Sequence, residues 1–179
     1  MPESRSEESN HDLFSLTQIR HLMRVEFSRA QRYGYPVSCL VVALDRAGHL
    51  RDVYGYEAKE NVMEDVAKLL LTATRTCDYL GRLVDDRLMA ILPHTRRDGA
   101  EVTAGRVIAA ARQLSYGMGD ASAAVTLSIG VTRYENENTM FFDDLVAAAE
   151  LAVEEAFAAG GDQCVYRDPG PVRPSQTTG

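Results

Sequence analysis

From Leu16 onward the chain alternates between two apolar periods. Leu16, Ile19, Met23, Phe27 and Ala30 recur at helical spacing and predict a helix over 16–33, ended by Tyr33-Gly34-Tyr35-Pro36. Val37–Leu44 is an unbroken run of apolar and β-branched residues, the pattern of a strand covered on both faces. Val62, Val66, Leu69 and Ala73 mark one face of a helix over 57–75. Residues 78–93 read as a hairpin with a tight polar turn. A third helix is expected over 97–115, with Val102, Val107, Ile108 and Ala111 on its apolar side, and a strand over 125–131. An Ala-rich helix over 141–159 closes on Gly160-Gly161 as a C-terminal cap, and Cys164-Val165-Tyr166 suits a short edge strand.

The order is helix, strand, helix, hairpin, helix, strand, helix, strand. That mixture predicts an α+β fold, a central and mostly antiparallel sheet flanked by helices. Residues 1–12 carry too little apolar surface to pack, and 169–179 are rich in Pro, Gly, Ser and Thr, so disordered tails are expected on either side of a domain over 13–168. No internal repeat is present.

Composition narrows the function. With 45% apolar residues a substantial core is available, and a net charge of −7 argues against a general nucleic-acid binder. No apolar run approaches the roughly 20 residues of a membrane span, and the first residues carry no hydrophobic signal segment, so membrane insertion is not expected. Cys39, Cys77 and Cys164 are scattered, with no CxxC pair. A structural zinc site is not expected, and a reducing cytoplasm is the default location. The four histidines show no metal-ligand spacing.

Several segments in order carry a resemblance. Arg29-Ala30-Gln31-Arg32-Tyr33-Gly34 ends the first helix. Leu44-Asp45 is followed by Arg51-Asp52-Val53-Tyr54-Gly55. Val84-Asp85-Asp86-Arg87-Leu88 forms the hairpin turn, Val125-Thr126-Leu127-Ser128-Ile129-Gly130-Val131 a strand, and Ala156 to Asp162 a helix end. Together they resemble the GGDEF family, the diguanylate cyclases, over about residues 16–167. The resemblance implies that family's fold, a nucleotide-cyclase-like palm. The strand around Ser128-Ile129-Gly130 is the most specific match. The first helix departs most, since Leu16-Thr17-Gln18-Ile19-Arg20 only faintly echoes the family's start.

The family's reaction joins two GTP molecules with the help of two divalent cations, which need converging carboxylates. On the residues that correspond, the first metal carboxylate is replaced by Ala43, while Asp45 remains at a position that supplies mainly backbone. Of the five turn positions only Asp86 fits the motif. Arg87 puts a cation where the family has Glu, and Val84 and Asp85 stand where the family has glycines able to take positive φ. The guanine-reading pair corresponds to Arg51 and Glu60, and the phosphate-binding pair to Phe157 and Gly161. The resemblance therefore implies a degenerate active site without cyclase activity, no catalytic residue and no required metal or cofactor.

A different constellation matches. Arg75-Thr76-Cys77-Asp78 stands five residues before Val84, the spacing of the family's inhibitory product site, and Arg106 matches a further arginine of that site. A guanidinium can donate two hydrogen bonds to guanine O6 and N7, and a carboxylate can accept from N1 and N2. The expected role is a cyclic di-GMP receptor using Arg75, Asp78 and Arg106 and acting through an unidentified protein partner, with a homodimer possible. Tails too short for a fused output domain point the same way. Another reading stands beside it. In that one Arg75 is a last-turn helix cation, Asp78 a local strand-start cap and Arg106 a solvated helix residue. On that footing the chain is a nucleotide-independent interaction module.

Overall fold

The computed structural model describes residues 13–117 and 122–170; both predicted tails lie largely outside them, as do all of residues 1–12 and 171–179. Helix α1 (Leu16–Tyr33) starts at a capping box, in which the Ser15 hydroxyl accepts from the Gln18 amide and the Gln18 side chain accepts from the Ser15 amide. Strand β1 (Val37–Leu44) is buried along its whole length, as its continuous apolar run requires. Helices α2 (Ala47–Tyr54) and α3 (Tyr56–Ala73) follow, then strands β2 (Tyr79–Arg82) and β3 (Leu88–Pro93) and helix α4 (Arg97–Ala111). The chain finishes with a ribbon of β4 (Ser115–Tyr116) and β5 (Ala123–Ala124), strand β6 (Leu127–Tyr134), helix α5 (Phe142–Ala158) and edge strand β7 (Gln163–Tyr166).

The five-stranded sheet has the order β2-β3-β1-β6-β7, with every pairing antiparallel except β6 with β7. Three layers result. Leu40, Val42 and Leu44 of β1 pack with α2, α3 and α4 on one face, while Cys39, Val41 and Ala43 pack with α1 and α5 on the other. The period-2 alternation of the strand divides the two cores residue by residue. In the α5 layer, small residues let the helix press onto β6: a Cβ at Gly130 would sit 1.9 Å from the Ala149 carbonyl oxygen.

Four details differ from the sequence expectation. A separate α2 precedes α3, because its eight residues bury only Leu50 and leave no periodic stripe to read. Helix α3 ends at Ala73 with Thr74 extended, so Arg75 lies beyond the helix and is not a last-turn cation. Helix α4 stops at Ala111, and Ser115 instead pairs with Ala124. Strand β6 is shifted to 127–134, since its last residues continue the pairing with β1 as far as Tyr134 opposite Val37.

Candidate functional site

Two groups of residues stand out. The first lies at the end of the sheet where β1 finishes, under the β2–β3 turn. Positive φ falls on Asp85 (60°) and Asp86 (57°), not on Val84, and the Leu83 amide donates to the Arg87 carbonyl at 2.7 Å. Aspartate tolerates this left-handed backbone better than a β-branched residue, so the strain expected at Val84 does not arise. Val84 is instead 60% exposed, and Leu88 is fully in the core.

Beneath the turn, four charged side chains close a ring. Lys59 Nζ lies 2.5 Å from Asp86 Oδ2 and 3.4 Å from Glu60 Oε1, and Arg82 Nη2 lies 3.0 Å from Glu60 and 3.1 Å from Asp86. Two cations and two anions alternate, so each carboxylate meets both cations. Lys59 is only 5% exposed and also stands over the Tyr56 ring. Its bond to Asp86 raises the ammonium pKa, and the same bond pulls the Asp86 carboxyl below its ordinary value. Lys59 and Arg82 are functional candidates that motif reasoning passed over. One signal was legible: a lysine in the first turn of α3 opposes the helix dipole, which calls for an anion elsewhere to hold it.

The other residues at this end are dispersed. Ala43 is buried against the α1–α5 core and contributes no donor. Asp45 uses its carboxylate structurally, accepting from the Ser128 hydroxyl at 2.7 Å and the Asp162 amide at 2.8 Å. A Cβ at Gly161 (φ 78°) would lie 2.8 Å from that carboxylate. Arg51 pairs only with its neighbour Asp52 on the surface, among the described residues. Arg87 reaches across to Glu154 of α5, and Phe157 is partly exposed at the end of the same helix. Tested against a pair of divalent cations, this donor set does not fit. The Ala43 position offers no side-chain carboxylate, and Asp86 is already held by an ammonium and a guanidinium.

The second group is assembled from the α3–β2 connection and α4. Arg75 and Asp78, between α3 and β2, and Arg106 of α4 line one cavity of about 290 Å³, with Leu92 and Val102 among its apolar walls. Arg75 and Asp78 also border an adjoining cavity of about 220 Å³ that reaches Phe14 and Leu71. Neither guanidinium closes an ion pair among the described residues. One oxygen of Asp78 accepts from the Arg75 amide at 2.7 Å, so the local capping reading holds, while Oδ1 has only the Cys77 thiol at 3.9 Å. Burial pushes the Asp78 carboxyl above its ordinary value, with the Arg75 amide and guanidinium opposing. Arg106 is exposed along α4 yet turned to the same opening. No helix among the described residues is long and apolar enough to cross a membrane.

Comparison with known proteins agrees with this architecture. Diguanylate cyclase A of Treponema denticola is 27% identical over 146 residues, 82% of this chain and 38% of that protein. The probable diguanylate cyclase DgcE of Escherichia coli is 27% identical over 68% of this chain and 11% of its own length. The chain thus spans little more than a third, or less, of these curated relatives. Among solved structures, diguanylate cyclase SiaD of Pseudomonas aeruginosa, in complex with its activator SiaC, superposes with a TM-score of 0.79 at 26% identity, covering 88% of this chain and 62% of that one. The GGDEF domain of DgcB from Caulobacter crescentus, in complex with c-di-GMP, gives 0.80 over 93% of this chain and 98% of that one; at 12% identity it speaks for the fold alone. The family profile described as diguanylate cyclase, GGDEF domain, matches residues 12–163, and the chain belongs to that family.

Proposed function

We propose that this chain is a degenerate GGDEF domain without cyclase activity, and that it binds cyclic di-GMP at Arg75, Asp78 and Arg106 and passes the bound state to a protein partner. The observation that carries the reading is the convergence of these three residues, two from the α3–β2 connection and one from α4, on one cavity whose two guanidiniums form no ion pair among the described residues. A guanine base laid there meets donors for O6 and N7 and an acceptor for N1 and N2. Loss of the cyclase reaction is supported by the Lys59-Asp86-Arg82-Glu60 ring. It places positive charge of the protein's own where a cation-assisted phosphoryl transfer needs metal, and Arg87 and Ala43 add nothing that could hold one. The ligand then works by differential affinity for two states of the domain or its complex.

Calorimetric titration with cyclic di-GMP tests this directly. Wild type binds, and Arg75→Ala and Asp78→Ala do not; absence of heat with wild type at tens of micromolar ligand, roughly −6 kcal/mol of binding, sinks the receptor. Incubation with GTP or ATP and magnesium or manganese, followed by chromatography, yields no product. Turnover that depends on Asp86 would overturn the assignment. A second reading draws on the exposed Val84 and Phe157 beside the turn. On it this end docks a protein without nucleotide, and capture of the partner is then indifferent to both cyclic di-GMP and Arg75→Ala.

A further inference from the structure

The chain enters the described fold beside the nucleotide cavity. Strand β2 is the last strand of the sheet on its side, and Phe14 forms a parallel bridge with Gly81 on its outer edge. The Phe14 amide donates to the Leu80 carbonyl at 2.9 Å, and the Phe14 carbonyl accepts from the Arg82 amide at 3.1 Å. Strand β2 starts at Tyr79, next to Asp78, and runs away from it. A parallel partner runs the same way, so the chain reaches Phe14 from the Arg75–Asp78 end of the strand. Leu13 packs on the core beneath α3 and α4, the same side of the sheet as the cavity. The cavities agree with that direction. Phe14 borders the one of about 220 Å³, and Thr74, Arg75 and Asp78 are walls common to it and to the one that holds Arg106.

The twelve residues before Leu13 carry four acids, Glu3, Glu7, Glu8 and Asp12, and a single base, Arg5, apart from His11. The cavity they lead to has the opposite need. Arg75 and Arg106 close no ion pair among the described residues, and Asp78 spends one oxygen on the Arg75 amide. The Thr74, Thr95 and Thr103 hydroxyls all donate to main-chain carbonyls, which leaves the guanidiniums as the side-chain donors open to the cavity. From Leu13 back to Glu8 the chain can span about 16 Å at full extension, more than the width of the smaller cavity. Two other charged grooves lie on the outer side of α1 and α5. That on α5 is mostly acidic, and that on α1, bordered by Arg24, Arg29 and Arg32, belongs to the opposite layer of the molecule.

We propose, building on the nucleotide reading above, that residues 3–12 are an intramolecular competitor of the nucleotide, their carboxylates taking the guanidiniums of Arg75 and Arg106 while no ligand is bound. The chemistry of the two occupants is shared. A guanidinium fork that donates to O6 and N7 of guanine donates equally to the two oxygens of one carboxylate. One fork cannot serve both, so nucleotide and segment exclude each other. Because the competitor is tethered, its local concentration is on the order of mM, and a weak contact is enough to fill the cavity. The apparent affinity for nucleotide is lowered by the fraction of molecules whose cavity is open. Nucleotide in turn expels the acidic segment, and that release is a change a protein partner can read.

Two measurements on the full chain test this. In calorimetry the double variant Glu7→Gln/Glu8→Gln binds cyclic di-GMP about 5–10-fold more tightly than wild type at low salt, a modest coupling between two occupants of one protein. Added salt narrows the gap, since it screens the pairing of carboxylate with guanidinium. The second measurement needs no ligand. In nitrogen-15 spectra the Nε–Hε resonances of Arg75 and Arg106 move between wild type and the double variant, while those of Arg24 and Arg32 stay in place. Unchanged circular dichroism and melting temperature show that the fold is the same in both proteins. A double variant with wild-type affinity overturns the proposal, as do Arg75 and Arg106 resonances identical in the two proteins. A shift confined to Arg24 and Arg32 overturns it too, by placing the segment on α1. Where wild type and double variant both fail to bind cyclic di-GMP, the arginine resonances alone decide, so failure of the nucleotide reading is told apart from failure of the competitor.

Discussion

At the scale of single residues, Lys59 is the side chain whose role differs most from its local context. It sits in the first turn of α3, on the unfavourable side of the helix dipole, and is nearly buried. Asp86 and Glu60 make the position tolerable, and Arg82 balances the second charge on each acid. Lys59→Met is expected to cost about 1–3 kcal/mol by urea unfolding at neutral pH, between the values for exposed and buried pairs. The pH dependence has a definite sign. Asp86 has a lowered pKa, so its contribution is present above the unfolded value of 3.8 and disappears as pH falls through the lower folded value. Lys59 has a raised pKa, so its contribution is present below 10.5 and disappears as pH rises through the higher folded value. The difference between wild type and Lys59→Met is therefore flat across the neutral range and narrows only at strong acid or strong base. A difference that grows on acidification would contradict the ring.

At the scale of elements, the contact of α5 with β6 decides how closely the two layers can approach. The strand carries Gly130 where the helix carries Ala149, and no side chain fits between them. Gly130→Ala is expected to destabilise by about 3 kcal/mol, since the blocking atom is a backbone oxygen and only a shift of the helix relieves it. A melting temperature within a degree of wild type would show that α5 slides freely. The next connection is fastened differently: Asp45, at the end of β1, reaches the backbone of Asp162 and the hydroxyl of Ser128. One carboxylate thereby ties the α5–β7 turn to the centre of the sheet.

At the scale of the whole molecule, the three layers separate three surfaces. The ionic ring lies at the end of the sheet, the Arg75–Asp78–Arg106 cavity beside α3 and α4, and the charged grooves on the outer side of α1 and α5. Under the proposed function, cyclic di-GMP at 100 times its Kd stabilises the folded domain by about 2.7 kcal/mol. That corresponds to a rise of roughly 5–10 °C in melting temperature for a chain of this size. The rise vanishes in Asp78→Ala. It also fades on acidification from above pH 3.8, because burial lifts the Asp78 carboxyl and the protonated acid can no longer accept from the guanine edge. A shift of equal size in Asp78→Ala would place the ligand elsewhere.

Most of the fold was legible along the chain. β1 read as a doubly covered strand because both of its faces lie in cores, and α1 and α5 read as helices because their inner stripes are continuous. The register of Arg75 and Asp78 against the hairpin was equally a matter of counting. The β4–β5 ribbon and α2 were not legible, since elements so short carry no full period. What the tertiary structure alone decided is which charges meet. Lys59 finds Asp86 across 27 positions, Asp45 finds the Asp162 amide across 117, and Arg106 joins Arg75 only because α4 folds back along α3. Burial periodicity is local, so the order of residues determines it. Charge pairing depends on how separate elements are turned toward one another, and packing of the two cores against the sheet sets that orientation.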